Sequence, residues 1–222
     1  AVLIGCAGLA GGCGGSGEAS PRDAFALTAS ALSGVDRYSF AGELTQYGPD
    51  GKVERRSGYR GRVEDHRPAA MQWNGGAAAG DGEGRHPLEL AAALQAAPAA
   101  VEYVPASGMV KLRITLDPAA AKERVARPLR SRLSGLKRDG QDLLRVDSAS
   151  PDARESAAAR ERETRRLERK LSTLRVATVC EWTADRRTWF PSELREETTV
   201  AYRDENGRDI AEKTTSVTNF RK

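Results

Sequence analysis

The sequence predicts an α+β fold, and its last third supplies the clearest evidence. From Arg175 to Phe220 the chain reads as three strands, because apolar side chains recur at every second position, as they do in strands with one buried face. The shared faces are Val176, Thr178, Cys180 and Trp182 in the first strand, and Phe190, Leu194, Val200 and Tyr202 in the second. Across the whole chain the order is helix, strands, helices and strands, which is typical of α+β rather than doubly wound α/β proteins.

A turn signal fixes how the last two strands pair. Asp204-Glu205-Asn206-Gly207 contains residues that tolerate positive φ, so an antiparallel hairpin is predicted there. Pro191 has no ladder N–H and suits the start of a strand. The three strands are therefore expected to form one antiparallel unit.

The folded part is predicted to begin with a helix. Ser20 is an N-cap residue, Pro21 follows at the first helical position, and Gly34 can end the helix. Two strands follow over 37–47 and 52–65, with a third expected over 67–74. The run 75–84 of Gly and Ala shows no periodicity and predicts a loop. A short helix rich in Leu and Ala is predicted from Pro87 to Ala97.

The middle of the chain combines one strand with two charged helices. Met109 to Leu116 alternates cleanly, Asp117 caps a helix that Pro128 should kink or split, and Pro151 opens a helix to about Leu174. Between positions 122 and 170 there are 15 Lys and Arg against nine Asp and Glu, a net charge of +6. The rest of the chain carries −2, which gives the total of +4. Residues 20–222 are expected to form a single domain with a charged helical insertion at about 118–174. This local basicity does not indicate nucleic-acid binding without aromatic or helix-reading features beside it.

The N-terminus carries the most specific motif of the chain. Residues 1–12 are uncharged and apolar or small, which suits the apolar region of a signal peptide and is too short for a membrane span. Leu9-Ala10-Gly11-Gly12-Cys13 and the glycines after it resemble a bacterial lipobox with a flexible tether. Cys13 is the predicted lipidation site, and Cys6 is the second choice, although Leu3-Ile4-Gly5-Cys6 matches the usual pattern more closely. Residues 1–19 are therefore expected to be a signal-peptide remnant, lipobox and tether.

An alternative interpretation of this segment is an ordinary cleaved secretory signal with incidental cysteines. No Met and no basic region precede Ala1, so the sequence is expected to begin within a longer precursor. Under the lipobox interpretation the protein is anchored by lipid at the extracytoplasmic face of the bacterial cell membrane.

The order of motifs resembles a known family. The lipobox is followed by a helix that leads into Arg37-Tyr38-Ser39-Phe40, and by Trp182-Thr183-Ala184-Asp185 with Trp189-Phe190-Pro191 near the end. This order is similar to that of extracytoplasmic lipoproteins of Gram-positive bacteria related to outer-membrane lipoprotein carriers (LolA-like) and to mycobacterial lipid-binding lipoproteins. The resemblance implies an unclosed, strongly curved antiparallel sheet, a half-barrel, whose concave face is covered by helices. The long charged segment 124–170 departs from the family pattern.

The resemblance also implies an apolar cavity between the sheet and the helices. The side chains expected to line it are Tyr38, Phe40, Leu44, Leu112, Ile114, Trp182, Phe190 and Leu194. The helices that begin at Pro21 and Pro118 are expected to cover this side with Phe25, Leu32, Leu129 and Leu133. Looser packing is expected at the Ala-rich helix near residues 90–97 and at the glycines of 75–84, so Ala93→Trp should reduce ligand uptake.

A search for catalytic groups does not favour an enzyme. His66 and His86 are expected in polar loops, and neither has the spacing of a metal site. No phosphate-binding glycine motif and no G-x-S-x-G motif occurs. Cys180 is expected to be a small core residue, and Glu161 with Arg165 a helical ion pair. No cofactor, metal or catalytic residue is predicted.

Two functions remain open from the sequence. The first is a membrane-anchored binding or carrier protein for a lipid or another apolar ligand. The second is a structural or interaction lipoprotein of the cell envelope, with a filled core and a charged helical arm that contacts an envelope protein or anionic lipid. A cavity large enough for an acyl chain would favour the first, and a fully packed interior would favour the second.

Overall fold

Helices and strands follow one another in the predicted α+β order. A computed structural model describes residues 19–65, 67–68, 71–74, 86–143 and 151–222. The helices are α1 (Pro21–Ser33), α2 (Pro87–Ala96), α3 (Pro118–Leu143) and α4 (Pro151–Thr173). The strands are β1 (Arg37–Tyr47), β2 (Val53–Glu64), β3 (Arg67–Pro68), β4 (Gln72–Asn74), β5 (Pro98–Tyr103), β6 (Met109–Leu116), β7 (Arg175–Asp185), β8 (Pro191–Arg203) and β9 (Asp209–Arg221). The lipobox, with Cys6 and Cys13, lies outside the described residues.

The strands form one antiparallel sheet that does not close on itself. Its order is β3–β2–β1–β9–β8–β7–β6–β5, and β4 also pairs with β2. The last strand, β9, therefore lies between β1 and β8, so that Phe40 is opposite Phe220 on one side and Leu194 is opposite Thr218 on the other. The predicted α+β fold with an open, curved antiparallel sheet is confirmed.

Alternation in β7 and β8 divides the sheet into a buried and an exposed face. The buried positions are Val176, Thr178, Cys180, Trp182 and Ala184 in β7, and Leu194, Glu196, Thr198, Val200 and Tyr202 in β8. Phe190, just before β8, is also buried. The period of two in the sequence therefore identifies the face that the helices cover.

Helix α1 is fixed at both ends by the residues that the sequence indicated. The Ser20 Oγ accepts a hydrogen bond from the backbone N–H of Asp23 at 3.2 Å, Pro21 occupies the first turn, and Gly34 is the C-cap. Phe25 and Leu32 are 3% and 5% exposed, so α1 covers the sheet as predicted. Each such burial stabilises the fold by roughly 1.5–3 kcal/mol.

Helices α3 and α4 form the connection between the neighbouring strands β6 and β7. The Asp117 carboxylate caps α3 by accepting hydrogen bonds from the N–H groups of Ala119 and Ala120 at 2.9 and 3.0 Å. One helix runs through Pro128, so the predicted split does not occur. Helix α3 packs against both β7 and α4, and these contacts support the helix although Pro128 removes one of its hydrogen bonds.

Ion pairs join α3 to α4 along their outer parts. Arg132 contacts Glu163 at 2.9 Å, and Lys137 contacts Glu168 at 2.6 Å. The predicted pair within α4, between Glu161 and Arg165, is confirmed at 2.7 Å. These contacts are exposed and each contributes little to stability. They nevertheless pair basic side chains with acidic ones, which lowers the repulsion between like charges on the two adjacent helices.

The face of α3 that covers the sheet differs from the predicted one. Leu129 and Leu133 are half-buried and lie outside the main core, in the part of α3 that is joined to α4. Ala121, Arg124 and Ala126, one to two turns earlier, are the buried residues instead. The face of α3 that is buried on the core therefore lies at Ala121, Arg124 and Ala126 and not at the two leucines.

Three strand assignments also differ from expectation. The region 67–74 provides two short strands, β3 and β4, instead of one. Strand β5, which was not predicted, pairs with β6 at the edge of the sheet. The period of two in 52–65 also predicts Val53 on one face with Tyr59 and Val63. Val53, next to the turn that precedes the strand, is instead 51% exposed, while Tyr59 and Val63 are buried.

Candidate functional site

A cavity of about 290 Å³ lies where α1 and α2 cover the ends of β1 and β2. Its lining comes from both helices, the connection after α1 and the two strands. The lining residues are Ala29, Leu32, Ser33, Val35, Tyr38, Val63, Leu88, Ala91, Ala92 and Gln95. Seven of these ten side chains are aliphatic, so the cavity offers an apolar surface with few polar groups.

The gap arises because small side chains meet where two helices approach the sheet. Ala29 on α1 and Ala91 and Ala92 on α2 face the space, and alanine cannot extend into it. The sequence analysis expected looser packing in this Ala-rich helix. Ala93 packs against the core without lining the cavity, so the position suited to a filling substitution is Ala92.

Tyr38 brings a polar group to the apolar wall. Its ring makes edge contacts with Phe190 and Phe220, at centroid distances of 6.0 and 6.4 Å. Burial raises the pKa of Tyr38 to about 12. Among the described residues its hydroxyl has no hydrogen-bond partner. The hydroxyl is therefore free to form a hydrogen bond with a polar group in the cavity.

The eight residues expected to line a cavity are all buried, but they do not surround one space. Only Tyr38 lines the cavity between α1 and α2. Leu112, Ile114, Trp182 and Leu194 are at most 1% exposed and fill the core under β6, β7 and β8. Their role as a ligand lining stays a prediction. Ala29, Val35, Leu88, Ala91 and Ala92 line the cavity but were not predicted to do so. The signal in the sequence was the Ala-rich pattern around residues 90–97, which indicated loose packing there.

A buried polar network occupies the middle of the covered face. The Glu196 carboxylate accepts hydrogen bonds from the Arg124 guanidinium at 2.5 and 3.3 Å, from Thr198 at 2.8 Å and from Ser216 at 3.3 Å. Arg124 and Glu196 side chains are 7% and 8% exposed. Burial alone would lower the pKa of Arg124, but the Glu196 carboxylate raises it above its ordinary value. The network ties α3 to β8.

The cysteine, histidine and acidic side chains of the described ranges do not form a metal site. Cys180 is 1% exposed, and burial raises the pKa of its thiol well above the ordinary value, which disfavours a nucleophile. No group of three or more His, Cys, Asp or Glu in the described ranges could hold a metal ion. None of the helices in the same ranges has the length and apolar content to cross a bilayer.

His86 has a structural role that differs from the expected polar loop. Its Nδ1 accepts a hydrogen bond from the N–H of Leu88 at 3.2 Å and so caps α2. Its ring also makes an edge contact with Phe40 at 5.3 Å. Burial lowers the pKa of His86, while the nearby Glu89 opposes this shift. His66 lies outside the described residues.

The fold and cavity define a class in structural terms only: an α+β protein with an open antiparallel sheet, helices on one face and an apolar cavity between them. No protein-family model matches the sequence, and no curated protein matches it. Among solved structures, one described as "GphF Dehydratase 1" is 12% identical to this chain. The alignment covers 88% of this chain and 81% of that chain, with a TM-score of 0.15. A tesB protein of Mycobacterium avium subspecies paratuberculosis gives 10% identity over 90% and 85%, with a TM-score of 0.14. Scores this low carry no information about function.

Proposed function

We propose that this protein is a non-catalytic binding or carrier domain for a small apolar ligand or a single acyl chain. The observation that carries the proposal is the cavity of about 290 Å³ between α1, α2 and the sheet. Ligand pockets measure roughly 300–1,000 Å³, so this space suits one chain rather than a lipid with several. The Tyr38 hydroxyl supplies one hydrogen-bonding group for the ligand's polar end.

The proposed location follows from the lipobox. A lipid on Cys13, or on Cys6, holds the domain at the extracytoplasmic face of the bacterial cell membrane, and the glycines of 14–17 form the tether. A domain anchored at this membrane surface would be next to apolar ligands of the bilayer. The family resemblance to lipid-binding lipoproteins supports the same function and remains a resemblance.

The test is uptake of a fluorescent fatty acid by the parent protein and by Ala92→Trp. Ala92 lines the cavity, so an indole at this position should occupy the space and weaken binding at least tenfold, with circular dichroism unchanged. Ala96→Trp is the matched control, because Ala96 is on the same helix, exposed and outside the lining. Its affinity should equal that of the parent.

The second candidate is a structural or interaction lipoprotein of the envelope. The buried core under β6, β7 and β8 favours it, since Leu112, Trp182 and Leu194 are fully shielded from solvent there. If the parent takes up no fatty-acid probe, the carrier function fails and this second candidate replaces it. If both tryptophan variants bind as the parent does, the ligand does not occupy the cavity described here.

A further inference from the structure

The outer face of the sheet carries a second concave site, which the proposed function does not use. It is a groove of about 740 Å³ across β2, β1 and β9. The apolar cavity lies on the opposite face of the same strands, where Tyr38 and Val63 point. Three arginines, Arg60, Arg62 and Arg221, line the groove. The rest of its lining is Ser39, Phe40, Ala41, Gly61, Gln72 and Asn219.

Strand register explains the shape of this arginine groove. Ser39 on the central strand is opposite Arg62 of β2 on one side and Arg221 of β9 on the other. Ala41, two residues on, lies between Arg60 and Asn219 in the same way. Neighbouring strands are about 4.8 Å apart, so the two outer strands stand about 10 Å apart. Small side chains thus form the floor, and long cationic ones form both walls.

The cations of the groove are only partly neutralised. Arg60 Nε donates to the Gln72 amide oxygen at 2.9 Å, which orients the guanidinium without removing its charge. Arg62 Nε lies 3.3 Å from Glu64, and both side chains are more than half exposed, so water screens this pair. Within the described part of the chain, the Arg221 guanidinium has neither an ion pair nor a hydrogen bond, although its backbone carbonyl accepts from Ser39 Oγ at 3.4 Å.

We propose that the arginine groove binds a phosphate group, either free or on an anionic lipid headgroup. Guanidinium groups present paired N–H donors that match phosphate oxygens bidentately. Arg221 on one wall and Arg60 and Arg62 on the other can contact the same phosphate from two sides. The small side chains of Ser39 and Ala41 leave room for it, and the Ser39 hydroxyl and the Asn219 amide add neutral hydrogen-bonding groups.

Two probes distinguish the sources of phosphate. The full chain with Cys6→Ser and Cys13→Ser, which has no anchor, is titrated with inorganic phosphate by calorimetry at low salt. The same protein is then sedimented with phosphatidylcholine vesicles, with and without phosphatidic acid. Binding to inorganic phosphate identifies a soluble phosphate ligand, and binding only to the acidic vesicles identifies a headgroup. Absence of binding to both probes would overturn the proposal.

Charge-matched variants test whether binding belongs to the groove. Arg60→Gln, Arg62→Gln and Arg221→Gln together should weaken vesicle binding about a hundredfold, since each arginine near an anionic surface contributes about fivefold. The control removes three exposed arginines of the α3–α4 pair, Arg127, Arg162 and Arg169, as glutamines. It should change binding less than threefold. Equal losses in the two triple variants would show diffuse attraction by surface charge and overturn the proposal.

Two further variants separate geometry from charge. Replacing the three groove arginines by lysine keeps the charge and removes the paired donors, so affinity for either probe should fall at least fivefold. Ala41→Trp fills the floor and leaves every charge in place, and the same loss is expected. If both variants bind as tightly as the parent, no phosphate is held between the walls, and the proposal fails.

Discussion

At the scale of single residues, the pair of Arg124 and Glu196 is the most demanding feature of the core. Two charges leave water at a cost of several kcal/mol each, and only close contact and further hydrogen bonds offset that cost. Thr198 and Ser216 satisfy the carboxylate. The Arg124 Nε has no acceptor among the described residues, so the pair is incompletely satisfied. It fixes where α3 sits on the sheet more than it stabilises the fold.

Removing one member of this pair should therefore cost more than removing both. Arg124→Met should lower the free energy of unfolding by about 3–5 kcal/mol, because Glu196 is left buried without a counter-charge. The double variant Arg124→Met/Glu196→Leu should recover most of this loss. Urea unfolding with a constant m-value measures both changes.

An exposed pair provides the control for this experiment. Arg130 contacts Glu123 at 2.8 Å, with both side chains more than half exposed. Arg130→Met should change the free energy of unfolding by less than about 1 kcal/mol. If Arg124→Met proves as mild as Arg130→Met, the buried pair is not the constraint on α3 that its geometry indicates.

At the scale of elements, the pairing of β1 with β2 depends on glycines that let aromatic rings lie across a neighbouring strand. A Cβ on Gly42 would lie 2.2 Å from the carbonyl oxygen of Val217 and 2.6 Å from the Tyr59 ring. The Tyr59 hydroxyl shares a hydrogen bond of 2.6 Å with Thr218, so the ring cannot move without breaking it. Gly42 is therefore required by the close approach of three strands.

Gly42→Ala should destabilise the protein, and Gly58→Ala provides its matched control. The Gly42 variant overpacks the strand pair and should lose about 1–3 kcal/mol or more. Gly58 belongs to the same strand pair, and a Cβ there would meet its nearest atoms at 3.8 Å, an ordinary contact. The Gly58 variant should stay within about 1 kcal/mol of the parent by thermal unfolding. Similar losses in the two variants would contradict the steric explanation.

Helix α2 should weaken in mild acid because of its histidine cap. The His86 Nδ1 can accept the Leu88 N–H only when it is unprotonated, and burial lowers the pKa of His86 from its usual 6.5. The stabilisation is therefore complete above pH 6.5 and is lost as the pH falls below this value. Thermal unfolding of the parent and of His86→Asn, which caps without titrating, should diverge on acidification by about 1 kcal/mol. Parallel pH profiles would show that the cap is not pH-sensitive.

Local patterns determined which elements could be predicted. Strand β6, from Met109 to Leu116, was predicted at its true boundaries because every second side chain is apolar. Strand β5 could not be predicted, because Pro98, Ala99 and Ala100 have little preference for strands. It is a strand because it pairs with β6. The spacing of Leu129 and Leu133 predicted a helix, but the sequence could not show that the residues of α3 buried on the core lie earlier in that helix.

The sites were less predictable than the fold because both depend on distant segments. The alanines of α2 indicated loose packing, yet the cavity exists only because α1 and the end of β1 meet them there. The arginine groove gave no local signal at all. Arg62, Ser39 and Arg221 come together only through the register of three strands, and a single sequence does not specify that register.

At the scale of the whole molecule, the proposed lipid anchor predicts how the protein is distributed between the membrane fraction and the soluble fraction. Cys13→Ala should move the protein from the membrane fraction to the soluble fraction of the producing cell, and Cys6→Ala should leave it at the membrane. Fractionation followed by immunoblotting measures the amount of protein in each fraction. The reverse pattern would assign the lipid to Cys6, and an unchanged distribution in both variants would contradict lipid anchoring.

The position of β9 also has a consequence for how the protein is made. Ser39 and Arg221 are paired across 182 positions of sequence, and the strand that joins the two parts of the sheet follows both of them in the sequence. Contacts between such distant segments form slowly. A nascent chain that still lacks β9 cannot join the two parts of the sheet, so the complete fold can form only after this strand has been synthesised.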